Sequence, residues 1–240
     1  MQFAQGSLQK AEFEARIFVS FGIVVIVCVL SGTVFAGSPS TLVLLGRSFG
    51  LAAAAATSFG FQAEALLMIA VSILRMWAGG TLTPQRVMAF RVQVDKLKTA
   101  GPYRFVRNPI YLADFVAMCG FSLCLPIAGL LLPVLFYVHY IRLIVYEEAS
   151  LRQKFGVQFG EYEQKAPRFF PRPASLRECA AASREFHLTR EGFRHNALYV
   201  FFVPGFLVAS ATGEFWHAAI IGLPGVLDWA IVHTKLGIKR

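Results

Sequence analysis

The sequence predicts an all-α, polytopic transmembrane helical bundle of about six spans. Three observations carry this. The 240 residues are 56% hydrophobic and only 15% charged, with a mean hydropathy of +0.56, too oily for a soluble domain. The apolar residues fall in runs close to the ~20 that cross a bilayer as a helix. Lysine and arginine collect in the loops between those runs, so the formal net charge of +9 is read as membrane topology and no nucleic-acid partner is expected. Cys28, Cys119 and Cys124 lie in apolar runs and Cys179 in a basic loop, without disulfide or metal spacing. They are expected to be small buried packing residues.

Residues 17–36 form the first span, an anchor rather than a cleaved signal. The helix-breaking GSPS follows, and the apolar residues 41–57 carry Arg47 near their middle, which suits a re-entrant or interfacial segment, or a further span. Residues 59–78 form the next span, with Glu64 and Arg75 about three turns apart and so on one face. The polar loop 79–108 holds Arg86, Arg91, Lys96, Lys98, Arg104 and Arg107, with Thr83-Pro84 suited to a helix start and FRVQV alternating like a short extended piece. Residues 110–125 and 130–146 form a helical hairpin that turns at Pro126 and Gly129. On its returning helix His139, Arg142 and Tyr146 make a polar stripe. Residues 147–195 are charged and suit the membrane surface, with Ser175 and Glu178 at capping-box spacing. A last hairpin, 196–212 and 215–232, turns at Gly213-Glu214.

Six spans put the N-terminus, both basic loops and the tail ending Lys235, Lys239 and Arg240 on one side, with Arg47 alone opposite. That distribution assigns both termini and the loops to the cytoplasm; a seventh span at 41–57 would reverse the N-terminus. Ionisable groups inside spans normally face the protein interior. Glu64, Arg75, Asp114, His139, Arg142, His217, Asp228 and His233 are expected to do so, each as a structural group.

Chemistry concentrates in Gly101–Tyr111, GPYRFVRNPIY, and in Tyr146-Glu147-Glu148 across the hairpin. The hairpin must bring the two stretches together at its cytoplasmic end. Arginines there can bind a carboxylate or phosphate in bidentate fashion, and a glutamate can hold an ammonium or a ribose. Equally, the arginines can snorkel and pair with the glutamates to finish the helices. No glycine-rich phosphate loop follows a strand, and the five histidines lack ligand spacing, so no metal is expected.

GPYRFVRNPIYL, followed by EEASLRQKFGVQFGEYEQKAPRFFP and preceded by LRMWAGGTL, resembles the core of the isoprenylcysteine carboxyl methyltransferase and phospholipid methyltransferase superfamily. The resemblance divides the chain into N-terminal spans (1–69), a methyltransferase-like core (70–172), a basic interfacial segment (173–195) and a C-terminal hairpin (196–240). It implies an integral membrane enzyme using S-adenosylmethionine on a lipid or isoprenoid acceptor that enters from the bilayer. Tyr103, Arg107, Asn108, Pro109, Tyr111, Tyr146, Glu147, Glu148 and Tyr162 would line the cofactor pocket, with Gly101 and Pro102 shaping the loop and Pro167 and Arg168 closing it. Arg107 or Arg104 would position a carboxylate acceptor, and Glu148 or Asp114 would take the proton of an amine. Asn108 stands where the family pattern has histidine, and Phe159 where it has tyrosine. The alternatives are an NADPH-dependent membrane reductase of a sterol or polyprenyl double bond, and a non-catalytic transporter or lipid-binding protein.

Overall fold

The computed structural model describes residues 10–82 and 96–238. It is all-α, and no strand occurs among the described residues. The expected Thr83-Pro84 helix start, the extended FRVQV piece, Arg86 and Arg91, and the terminal Lys239 and Arg240 lie outside the described residues, as does the side chain of His233.

Among the described residues three helices are long and apolar enough to cross a membrane. They are α1 (Arg16–Thr33), α3 (Ala53–Thr81) and the helical stretch Ile127–Phe155, whose α-helical part is α5 (Leu131–Phe155). Three further apolar helices join them: α4 (Pro109–Cys124), α10 (Phe202–Thr212) and α11 (Phe215–Ile238), whose apolar stretch is Phe215–Ile231. The outer surface is what a lipid-embedded bundle requires: Phe18 is 75% exposed, Leu66 68% and Ile220 60%.

Residues 41–57 are neither a span nor one helix. Ser40 caps the short α2 (Thr41–Ser48), accepting the Val43 N–H, and the chain then enters α3 at Ala53. An eight-residue helix rises only about 12 Å and cannot cross the hydrocarbon core. It adds no span to the three.

At 29 residues, α3 is about 43 Å long, more than the bilayer core. It is the hub, packing on α2, α4, α10 and α9 (Arg190–Asn196). Two glycines make these approaches possible. A Cβ on Gly120 would overlap Glu64 Oε2, and one on Gly79 would overlap the amide of Asn196.

The α4–α5 hairpin turns as expected, with the Gly129 N–H on Pro126 O at 2.7 Å, but α5 continues nine residues beyond Tyr146. Glu147 and Glu148 therefore sit inside a helix. After α5 come α6 (Val157–Lys165), α7 (Pro173–Leu176) and α8 (Cys179–Arg184). The expected Ser175–Glu178 box does not form: Ser175 Oγ bonds the Arg172 N–H and carbonyl instead, and Glu178 gives no side-chain cap to α8.

The in-span charges divide. Glu64, Arg75 and His139 are buried as expected and Asp114 mostly so, whereas Arg142 and Asp228 are exposed. Arg142 faces outward because it binds Glu12 at 2.7 Å. That pairing holds the Glu12 carboxyl below its usual range. The polar stripe is occupied by the start of α1 and the residues before it: His139 Nε2 lies 3.4 Å from Arg16 O, and Tyr146 packs on Phe13 at 5.3 Å. Among the cysteines, Cys124 is buried, Cys119 half-buried and Cys28 exposed, so burial fails for Cys28, on the outward and cavity side of α1.

Candidate functional site

The site is built on two facing helices whose polarity changes in step. Along α4 and its flanks Asn108, Tyr111, Asp114, Met118, Phe121 and Leu125 recur every three or four residues and line one cavity. Such spacing is one helical face. On α5 the matching face runs Leu132, Phe136, Tyr140, Leu143, Glu147 and Leu151. Because the helices are antiparallel, both faces are polar at the loop end and apolar at the turn end. The cavity has a volume of about 550 Å³, within the range of small-molecule sites.

At the polar end Glu148, with its side chain 3% exposed, is held from three directions. Arg107 donates through Nε at 2.9 Å and Nη2 at 3.1 Å. Asn108 Nδ2 donates at 3.2 Å, and Arg168 Nε at 2.9 Å. Arg107 Nη1 spends its hydrogens on the Glu163 and Ala166 carbonyls, and its backbone N–H on Pro167 O at 2.8 Å. Buried charges need this degree of pairing. The clamp ties the 101–108 loop, α5 and the 162–168 tail into one unit.

Asn108 occupies the N-cap of α4 ahead of Pro109 but does not cap it. Its amide instead bridges Glu148 and the Arg168 carbonyl. Tyr162 donates to Tyr103 O at 2.8 Å over a small core of Phe159, Ala78 and Ala166. Burial raises the phenols of Tyr103 and Tyr162, so both are neutral. Phe159, where the family pattern has tyrosine, is fully buried there and borders the cavity.

Glu147 is the more open of the two glutamates: it is half-buried, lines the cavity, and accepts from Tyr111 Oη at 2.8 Å. One turn deeper, Asp114 pairs with Arg75 and accepts from Tyr199 at 3.0 Å and, more weakly, from Tyr140 at 3.5 Å. Arg75, Asp114, Tyr140 and Tyr199 all line the cavity.

The residues singled out from sequence therefore separate. Tyr103, Arg107, Asn108, Pro109, Tyr111, Glu147, Glu148 and Tyr162 come together around the cavity; Arg104 and Tyr146 do not line it. Arg104 is bound by Glu185, with Nη2 on Oε1 at 2.5 Å. Glu185 also accepts the Gly101 N–H, and Arg104 together with that N–H lowers its carboxyl to about 2. Tyr146 is taken by Phe13. Sequence reasoning missed Arg16, Lys98 and Tyr199 as cavity residues, and Glu185 as the partner of Arg104. Nothing local marks Tyr199, which is brought in by the C-terminal hairpin. Among the described residues no cluster of His, Cys, Asp or Glu could hold a metal ion.

Comparison with known proteins meets the same region. Residues 61–158 match the family model for phospholipid methyltransferase. The chain is 35% identical over 83 residues to protein-S-isoprenylcysteine O-methyltransferase B of Arabidopsis thaliana, covering 34% of this chain and 42% of that protein. It is 32% identical over 84 residues to the nickel-cobalt-cadmium resistance protein NccN of Alcaligenes xylosoxydans xylosoxydans, covering 34% and 39%. The matched stretch thus spans about two fifths of these curated relatives. No solved structure matches.

Proposed function

We propose, from a core that belongs to the phospholipid and isoprenylcysteine methyltransferase superfamily, that this membrane protein transfers a methyl group from S-adenosylmethionine to a lipid-borne acceptor. The acceptor is a prenylcysteine-like or other isoprenoid carboxylate, or a phospholipid amine, reaching the cavity from the bilayer. The polar end of the cavity faces the cytoplasm, with both termini, as the basic loops indicate. The observation that carries the reading is the three-way clamp on Glu148 at the polar end of a cavity whose other end is apolar.

The residues present suit the methyl donor. Lys98, which lines the cavity, can meet its carboxylate, and Glu147, which accepts from Tyr111 beside the charge of Arg16, can meet its ammonium or ribose. When bound, S-adenosylmethionine supplies a methyl group activated by a sulfonium leaving group. What remains for the protein is alignment and the exclusion of water. Arg107, Asn108 and Arg168 fix Glu148 and so set the shape of the wall; they act on each other more than on a ligand. Glu147 offers the lone pairs that can receive the proton of an amine acceptor. The apolar half of the cavity keeps bulk water from the reacting atoms.

Equilibrium binding of labelled S-adenosylmethionine to the purified protein tests the reading. Glu147→Ala is expected to weaken binding at least tenfold. Binding untouched by that change removes Glu147 from the site.

A further inference from the structure

Part of the cavity wall lies ahead of the matched segment 61–158. Phe13 and Arg16, where the N-terminal segment joins α1, both line the cavity. Residues 10–14 form one helical turn, the helix breaks at Ala15, and α1 starts at Arg16 without a side-chain cap. That turn lies along α5, next to the face that carries Glu147. His139 Nε2 lies 3.4 Å from the Arg16 carbonyl, Arg142 Nε donates to both oxygens of Glu12 at 2.9 Å, and Tyr146 packs on Phe13.

The contacts of the turn differ in kind. Phe13 is only 3% exposed, while Glu12 and Glu14 on either side of it are half-buried. The Arg16 guanidinium stands over its ring, 4.4 Å from the centre, and Arg16 Nη1 donates to the Phe13 carbonyl at 2.9 Å. Arg16 is near enough for its charge to act on Glu147 and on the Tyr111 hydroxyl, which puts Phe13 at the polar end of the cavity. The tie that holds the turn down is by contrast on the surface. The Arg142 side chain is 59% exposed, and an ion pair so placed holds weakly. A buried aromatic plug, a weak surface tie, and a helix break between the plug and the membrane span are together the parts of a hinged lid.

We propose that residues 10–15 are a latched flap over the polar end of the cavity: Phe13 is the plug, Ala15 the hinge, and Glu12 on Arg142 and His139 the latch. The polar ligand held at Glu147 enters and leaves when Phe13 lifts off Tyr146. This inference rests on the methyl-transfer reading for the identity of that ligand, though not for the movement. With the flap down the reacting atoms are closed off from water; with it up, spent cofactor is exchanged for fresh. The latch therefore sets the rate of exchange and leaves the affinity alone, because it holds the door and touches no ligand.

The test uses the full-length protein purified in detergent, with Arg142→Gln and Glu12→Gln to release the latch. Arg152→Gln is the control: it breaks an equally exposed pair on the same helix, with Glu163 at 2.7 Å, away from the flap. Hydrogen exchange of the amides of residues 10–17, read without any ligand, is expected to be about threefold faster or more in both latch variants, and no faster still when the two are combined, since they remove one contact. The control is expected to exchange these amides as the parent does, and all thermal midpoints to stay where they are. Labelled S-adenosylmethionine is then expected to bind and dissociate faster by the same factor in the latch variants, with an unchanged Kd. Amide exchange equal to the parent's overturns the latch. Faster dissociation with unchanged association, and so a weaker Kd, overturns the flap and makes the turn a fixed wall of the site. Faster amide exchange in Arg142→Gln, with no S-adenosylmethionine binding by any of the proteins, would keep the flap and discard the methyl-transfer reading.

Discussion

At the scale of single residues, the Arg107–Glu148 pair is structural before it is chemical. Its two side chains are 8% and 3% exposed, and removing one partner strands a buried charge, which typically costs about 3–5 kcal/mol. Glu148→Ala is therefore expected to lower the thermal midpoint in detergent sharply, with S-adenosylmethionine binding lost alongside; an unchanged midpoint would show that the clamp does not hold the cytoplasmic end. Asn108 gives a gentler probe. It is unable to titrate, and Asn108→His would keep a donor toward Glu148 or the Arg168 carbonyl while introducing a group that titrates near its ordinary value of ~6.5. We expect a loss of about 1 kcal/mol and a new inflection near neutrality in the pH profile of methyl transfer, absent from the parent. Sequence pattern was enough to bring Arg107, Asn108, Tyr111 and both glutamates together, because a hairpin with one short turn returns its ends to the same level. It was not enough to rank Glu147 and Glu148. That ranking depends on Arg168 and the Glu163 and Ala166 carbonyls, contributed by a tail whose path no periodicity reveals.

At the scale of elements, the helices of the hairpins were legible from hydropathy, while the segment 41–57 and the end of α5 were not. Apolar composition marks what can enter a bilayer, but a reversal at Phe49–Ala52 or the continuation of a helix into polar sequence is set by caps and packing. Where elements meet, small residues decide. Gly120→Ala is expected to force α3 from α4 at Glu64 and Leu67 and cost about 1–3 kcal/mol by overpacking, while Glu64→Ala in the same chain should restore part of the loss because it removes the closer of the two overlaps. Failure of the second change to rescue would mean the two helices do not meet there. The Glu185 strap has its own signature. Its carboxyl is depressed to about 2 by Arg104 and the Gly101 N–H, so the stabilisation is present above the unfolded carboxylate value of ~4.3 and is lost as pH falls from there toward 2. Acid-protease cleavage at 173–188 should rise across that window in the parent, and should already be high above it in Arg104→Ala. A flat cleavage profile in the parent would contradict the strap.

At the scale of the whole molecule, the chain divides its labour between a matched core, residues 61–158, and flanking helices that core does not include. The core supplies most of α3, α4 and α5 with Arg107, Asn108, Glu147 and Glu148; Arg168 completes the clamp from beyond it, and α1, α11 and Tyr199 add further walls. Composition and the basic loops made the membrane character legible, because long apolar runs separated by basic loops are the pattern of a membrane bundle. The share of the C-terminal hairpin was not legible: Tyr199 and Trp229 look like ordinary span residues until the bundle closes. The account stands or falls on what the polar end of the cavity holds. The direct measurement is equilibrium binding of labelled S-adenosylmethionine to the purified protein, with unlabelled S-adenosylhomocysteine and NADPH as competitors and Glu147→Ala in parallel. Saturable binding displaced by S-adenosylhomocysteine, indifferent to NADPH, and weakened at least tenfold in the variant is expected; no saturable binding, or displacement by NADPH instead, would rule out the methyl-transfer reading.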